Sequence, residues 1–347
     1  MRDRSHSQRA RAVGVALAGL CLAACGNKRA QPAGPAPELT GLAAVPASVE
    51  VVIGLDLGKL ADAPVVERVI DQVIARSAPL AERWAHLHTD CKIDLRKQLK
   101  RMLVAIGPHA GPQPGTGPVL LVVVGSVPEA ELKDCVGKLV GAGGGAVTGK
   151  AVAGRTLYQV RDGNRQMYFA YGRPDTVVLG ADEAYVTEAL GAGKKASDNP
   201  ELARWLGAVN QNAPVWAAGR TDPRVREGLV RLTEGKLSAG PTGFLLTADF
   251  STGIKADYRA TMATPQDAKT LESFARGELA LAVAAAQGRS LGAIVGKISI
   301  AAEQDVVRLQ AALTIDDLNQ LLAALDGSGP PAQNSAPPSP GPGSGAK

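Results

Sequence analysis

The sequence predicts an α+β fold: two similar modules, each a mainly antiparallel sheet covered by helices. Three observations lead there. Apolar runs of strand length alternate with runs of helical period from about residue 49 to residue 325. Turn residues alone separate several neighbouring strands, as at Asp162-Gly163-Asn164 and Thr252-Gly253, which favours hairpins. The order strand, helix, strands, helix, strands, helix is met twice, over residues 47–192 and 198–326. Identity between the two halves is weak, so the repetition is one of order and not of residues.

The first half opens with a near-continuous apolar strand, Val49 to Leu55. Asp62 is placed to cap a helix with Val66, Val69, Ile70, Val73 and Ile74 on one face. Leu80, Trp84 and Leu87 extend helix toward Cys91, and a short helix from Asp94 leads to a strand at Met102–Ile106. Val119 to Val124 reads as a buried strand. A helix from about Pro128 turns Leu132, Cys135, Val136 and Leu139 inward. Strands follow at Arg155–Val160, Gln166–Tyr171 and Thr176–Leu179, then a helix from Asp182 to Leu190.

In the second half, Asn199-Pro200 caps a helix carrying Leu202, Leu206 and Val209. Pro214 to Ala218 is a strand, and Asp222-Pro223 starts another helix. Phe244, Leu246, Ala248 and Phe250 alternate, as do Ala256, Tyr258, Ala260 and Met262. Thr264-Pro265 caps a helix with Leu271 and Phe274. Strands are expected at Ile294–Ile300 and Val307–Ile315, and Leu318, Leu321, Leu322 and Leu325 form a final amphipathic helix.

The ends differ in kind from this body. Arg2, Arg4, Arg9 and Arg11 precede an apolar stretch from Ala12 to Ala24, long enough for a signal sequence and too short to span a bilayer. It ends in Leu22-Ala23-Ala24-Cys25, which resembles the lipobox of bacterial lipoproteins. That resemblance implies cleavage of residues 1–24, lipid on the Cys25 sulfur and attachment to a membrane. Two or more acyl chains would make the attachment stable, at roughly 0.8 kcal/mol per buried methylene. Gly26 next to it resembles the outer-membrane default, with the body facing the periplasm. Residues 25–46 read as a Pro/Ala/Gly tether able to reach roughly 60 Å. Residues 327–347 are Gly, Pro and Ser with almost nothing apolar, and are expected to be disordered. The body resembles uncharacterised envelope lipoproteins of the myxobacterial type, a resemblance that brings no activity and no site with it.

The chain carries a formal charge of +5. The expected leader holds four Arg and one Asp, so +3 goes with it and +2 remains. With aromatics at 3 % and none interleaved with a basic stripe, nothing suggests nucleic acid. After Cys25 only Cys91 and Cys135 remain. An exported pair reads first as a disulfide, worth roughly 4 kcal/mol in the chain-entropy model; two buried thiols are the alternative.

Several patterns come near to a chemistry and miss it. Gly144 to Lys150 nearly spells a phosphate loop, but Ala151 stands where a Ser or Thr must bind magnesium, and a helix precedes where a strand is needed. A flexible glycine loop accounts for it. Gly288-Arg-Ser290-Leu-Gly292 matches a nucleophile elbow, but no histidine follows His109 to complete the order. His86, His88 and Cys91 place at most two ligands on one helix side, short of a metal site unless His109 or a carboxylate joins. Lys92, Arg96, Lys97, Lys100 and Arg101 form a basic run that could meet anionic head groups, or be a solvated helix face. Asp316-Asp317 is explained by helix capping.

With no coherent catalytic set and no cofactor motif, the expectation is a non-enzymatic envelope lipoprotein, a binding or assembly module displayed from a membrane for an envelope partner. The alternative is a carrier or sensor of a lipid or other hydrophobic ligand. It requires a cavity of several hundred Å³ with apolar lining between sheet and helices.

Overall fold

A computed structural model of the chain describes residues 38–109, 111, 116–287 and 291–325. Cys25, the expected leader, the serine of the elbow pattern and the tail from 327 all lie outside these residues.

The fold is α+β around one antiparallel sheet of 12 strands. In chain order the strands are β1 (Val51–Asp56), β2 (Leu99–Ile106), β3 (Val119–Gly125), β4 (Ala146–Val152), β5 (Arg155–Asp162), β6 (Arg165–Arg173), β7 (Thr176–Gly180), β8 (Val215–Arg220), β9 (Gly243–Asp249), β10 (Ile254–Thr261), β11 (Ile298–Glu303) and β12 (Val306–Leu313). In space they run β11-β12-β10-β9-β8-β1-β2-β3-β7-β6-β5-β4. Between β1 and β2 lie helices α1 (Leu57–Ala61), α2 (Pro64–Ala75), α3 (Ala78–Thr89) and α4 (Leu95–Gln98). The rest are α5 (Glu129–Gly141), α6 (Glu183–Leu190), α7 (Pro200–Ala208), α8 (Pro223–Leu232), α9 (Pro265–Gln287), α10 (Gly292–Val295) and α11 (Ile315–Leu325).

The two halves meet as neighbours within this one sheet. β1 pairs with β8 antiparallel, Val51 opposite Gly219 and Leu55 opposite Val215. On either side of the seam the chain lays down three strands outward and returns the last strand of the half beside the third: β7 against β3, β12 against β10.

Side chains alternate between two faces, and each face solves its burial differently. On the first, Val52, Ala105, Leu120, Val122, Val178 and Ala218 pack beneath Val186, Leu190, Leu202 and Leu206 of α6 and α7. The seam here is tight: a Cβ on Gly54 would lie 2.1 Å from the Trp216 ring, so only glycine lets the indole cross β1. On the second face α5 covers one end, over Val160, Phe169 and Tyr171. At the other end Ala268, Leu271 and Phe274 of α9 cover Ile300, Val307 and Leu309. Between them the cross-strand row Leu246, Ala217, Ile53, Val104, Leu121 and Leu179 continues the apolar floor. Apart from the small Ala217, these middle residues stay only half-buried.

Capping side chains start several helices where the sequence places them, though Asp62 ends α1 instead of starting α2. Asn199 accepts from the backbone N–H of Glu201 and Leu202, with Pro200 in the first turn of α7. Asp182 accepts from Tyr185 N at 2.7 Å to start α6. Thr264 and Asp267 form a reciprocal cap on α9, the Thr264 hydroxyl donating to Asp267 at 2.7 Å and accepting from its N–H at 3.0 Å. Thr314 and Asp317 repeat this on α11, where Asp317 Oδ2 also accepts from Thr314 N at 2.7 Å. The acid pair at Asp316-Asp317 thus serves a helix start.

Four local expectations are corrected. The tether does not reach residue 46: Leu39, Ala44 and Val45 are buried in the main core, around a 3₁₀ turn at Gly41–Ala44. Its small-residue composition suits close packing against the sheet as well as it suits a linker. Only Gly144 and Gly145 of the glycine-rich stretch 144–150 lie in a loop, for Ala146–Val152 is the edge strand β4, paired with β5 from Ala146–Arg161 to Val152–Arg155. Residues 294–300 are not one strand: Gly292–Val295 is helical and β11 begins at Ile298. Helix begins directly after β1 at Leu57, where Asp56 accepts from Lys59 N.

Candidate functional site

The half-covered second face carries a groove of about 800 Å³. Val119 and Leu121 of β3, Val160 of β5, Met167 of β6 and Leu179 of β7 form its floor. Val136, Leu139 and Val140 of α5 form one wall, and Glu82 and His86 of α3 stand at another. Asp162, Arg165 and Gln166 give it a polar rim. Val119 and Met167 are exposed, at 42 % and 39 %, although both are large and apolar.

α5 is held along its length by chemistry and by packing. The Cys91–Cys135 disulfide ties the segment after α3 to α5, with Cα atoms 5.1 Å apart. Around it Ile93, Val127 and Leu99 form a small separate core. Tyr171 donates its hydroxyl to Val127 O at 2.8 Å, and burial pushes that phenol's pKa up. Tyr158 donates to Glu129 Oε1 at 2.8 Å at the start of α5, and the bond raises its pKa too. A second hollow of about 160 Å³ lies on the other flank of α5, lined by Ile93, Val123, Leu132 and Val177, and it shares Leu179 with the groove. The helix is therefore a bar across an apolar floor, with space on both sides.

The rim has defined charge partners. His86 Nδ1 sits 2.6 Å from Asp90 Oδ2, and that hydrogen bond holds the Asp90 carboxyl below its ordinary pKa. Glu82 stands 3.9 Å from the other ring nitrogen. His86 is thus placed among carboxylates, and the Cys91 sulfur is committed to Cys135. His109 lies elsewhere, at the end of β2, with Nδ1 3.1 Å from Asp222 Oδ2. Among the described residues, no three His, Cys, Asp or Glu come together as metal ligands.

The basic run is dispersed. Lys92 lies in the turn after α3, Arg96 and Lys97 on α4, and Lys100 and Arg101 on β2. Arg96 reaches Glu67 and Asp71 of α2 at 3.4 and 3.3 Å, and Lys97 reaches Asp94 at 3.1 Å. All five residues are exposed. No described helix is long and apolar enough to cross a membrane.

Chemically, the groove offers apolar contact over most of its length and polar contact at its rim. Sequence reasoning turned Val136 and Leu139 inward and placed Leu179 at the end of a strand, but did not locate the space between them. That space arises from strands and helices far apart in the chain. No protein-family model matches the chain, and comparison with curated proteins and with solved structures finds no match.

Proposed function

We propose that the protein is a carrier or sensor of an elongated hydrophobic ligand, held at a membrane through lipid on Cys25. One observation carries this reading: the groove of about 800 Å³ between the sheet and α5, floored by Val119, Leu121, Met167 and Leu179. Its size falls in the range of ligand sites, and its lining suits an acyl chain, each methylene of which gains roughly 0.8 kcal/mol on leaving water. It displaces the assembly module as the preferred function because an assembly surface has no need of a groove between layers. The leader and the lipobox Leu22-Ala23-Ala24-Cys25 support delivery to the cell envelope, with the body reaching the periplasm from the outer membrane.

The body is further proposed to derive from two similar modules. In support, β1–β2–β3 with β6–β7 and α6 follows the same path as β8–β9–β10 with β11–β12 and α11. β4 and β5 are then an addition to the first module, and β5 lines the groove through Val160 and Asp162.

The experiment is extraction of the purified, exported protein with organic solvent, followed by uptake of a pyrene-labelled acyl chain. A stoichiometric apolar molecule, or saturable uptake blocked by Val119→Trp, is the expected result. A protein that is empty and takes up no probe overturns the carrier function. For the anchor, Cys25→Ser must release the protein from membranes; persistence in the membrane fraction overturns that part.

A further inference from the structure

At the lower edge of the same sheet face, next to the groove, lies a pocket of about 380 Å³ with a different character. Its floor is Val51, Ile106, Phe244 and Tyr258. Ile106 stands directly opposite Val119, so floor and groove are neighbours across the β2–β3 pair. The floor then continues to Val51, opposite Ile106, and past Gly219 to Phe244.

One end of this pocket is polar and unfinished. Thr221 is only 6 % exposed, lines the pocket, and its hydroxyl has no hydrogen-bond partner. His109 lines it too, and its Nε2 is buried without a partner. Leaving such atoms unbonded is costly, so folded proteins rarely tolerate them without a ligand or water to complete them. The carboxylate of Asp222, 3.1 Å from Nδ1, fixes the ring. Asp222 is itself fixed, since its other oxygen accepts from Arg224 N at 2.8 Å at the start of α8. With Nδ1 turned to Asp222, Nε2 is the ring nitrogen left to bond a ligand. The Thr221 hydroxyl both donates and accepts.

We propose that this pocket is a head-group subsite for the groove and takes an uncharged, hydroxylated head, such as the glycerol end of a monoacylglycerol. The proposal rests on the carrier function above and names its ligand class. A hydroxyl of the head hydrogen-bonds His109 Nε2, while a hydroxyl or ester oxygen accepts from Thr221. The acyl chain leaves over Ile106 and Val119 into the groove. Charge excludes the obvious competitor. A fatty-acid carboxylate entering here would meet Asp222 and Glu50, and the pocket's arginine, Arg220, is already engaged by Glu201 at 2.5 Å.

The test uses the full-length chain carrying Cys25→Ser, purified with its disulfide intact. Monooleoylglycerol, oleate and methyl oleate compete against a pyrene-labelled acyl chain. Monooleoylglycerol is expected to bind about tenfold more tightly than the other two, the worth of one to two hydrogen bonds. Thr221→Val and His109→Phe should each remove most of that advantage while leaving oleate binding unchanged, and Thr221→Ser should restore it. Equal binding of all three amphiphiles, or indifference of monooleoylglycerol to both substitutions, overturns the subsite and leaves the carrier function standing. Binding of none of them overturns the carrier function and the subsite with it.

Discussion

Cys91 and Cys135, joined in a disulfide, fasten the end of one wall of the apolar groove to the other: the chain leaving α3 is bonded to the middle of α5. The bond closes the loop that contains β2 and β3, so it links the helices over the groove to the strands beneath them.

Reduction, or Cys135→Ser with Cys91→Ser, is expected to lower stability by about 4 kcal/mol in the chain-entropy model. Urea unfolding with and without reductant measures it. Because the bond holds the groove's roof, uptake of an acyl probe should weaken under mild reductant that leaves the sheet folded. A midpoint unchanged by reduction would show that packing of Ile93 and Val127 suffices.

The Gly54–Trp216 contact at the seam predicts an asymmetric pair of substitutions. Gly54→Ala drives a methyl into the indole and is expected to cost about 3 kcal/mol, as overpacking does. Trp216→Ala leaves a cavity and should cost about 3–5 kcal/mol. Thermal unfolding of both variants checks this, and a Gly54→Ala protein as stable as the wild type would mean the strand shifts freely at β1.

Acid should destabilise the second half in particular. Asp317 is held down to a pKa of about 2 by Lys297 first, then by Thr314. Asp257 is held low by Arg308, which grips it with bonds of 2.9 and 2.6 Å, and Asp267 by Ser238. A carboxyl whose folded pKa is depressed contributes stability above its unfolded value near 3.9, and loses it as pH falls through the folded value. The urea midpoint is therefore expected to fall between about pH 4 and pH 2, and Asp317→Asn should flatten that slope.

Filling the groove tests its role without touching the core. Val119→Trp and Met167→Trp occupy exposed floor positions, so circular dichroism should be unchanged. Uptake of the acyl probe should fall at least about tenfold, the effect of displacing a chain from its contacts. Undiminished uptake places the ligand elsewhere.

Much of the framework was legible because it follows period and punctuation. Val119–Val124 is apolar throughout and lies inside the sheet; Asp182, Asn199 and Asp222 cap helices where their spacing places them. β4 was not legible, because an edge strand exposed along most of its length gives Ala146–Val152 no alternation to show. Leu39 to Val45 hid for the opposite reason: Ala and Gly pack well and also make linkers. In the candidate site, the apolar residues were visible and their separation was not. Thr221 carried no signal at all, since its meaning comes from His109, which reaches it only through the pairing of β1 with β8.

That same pairing sets an order on the chain's assembly. During synthesis β1 finds β2 early, but its other side must await β8, made only after the whole first half. Until then Val51, Val52, Ile53 and Leu55 present an open apolar strand edge. Contacts so distant in sequence form slowly, and an open edge of this kind recruits other chains. The step most in need of a chaperone is thus the meeting of the two halves, and β1 is the strand it must shield.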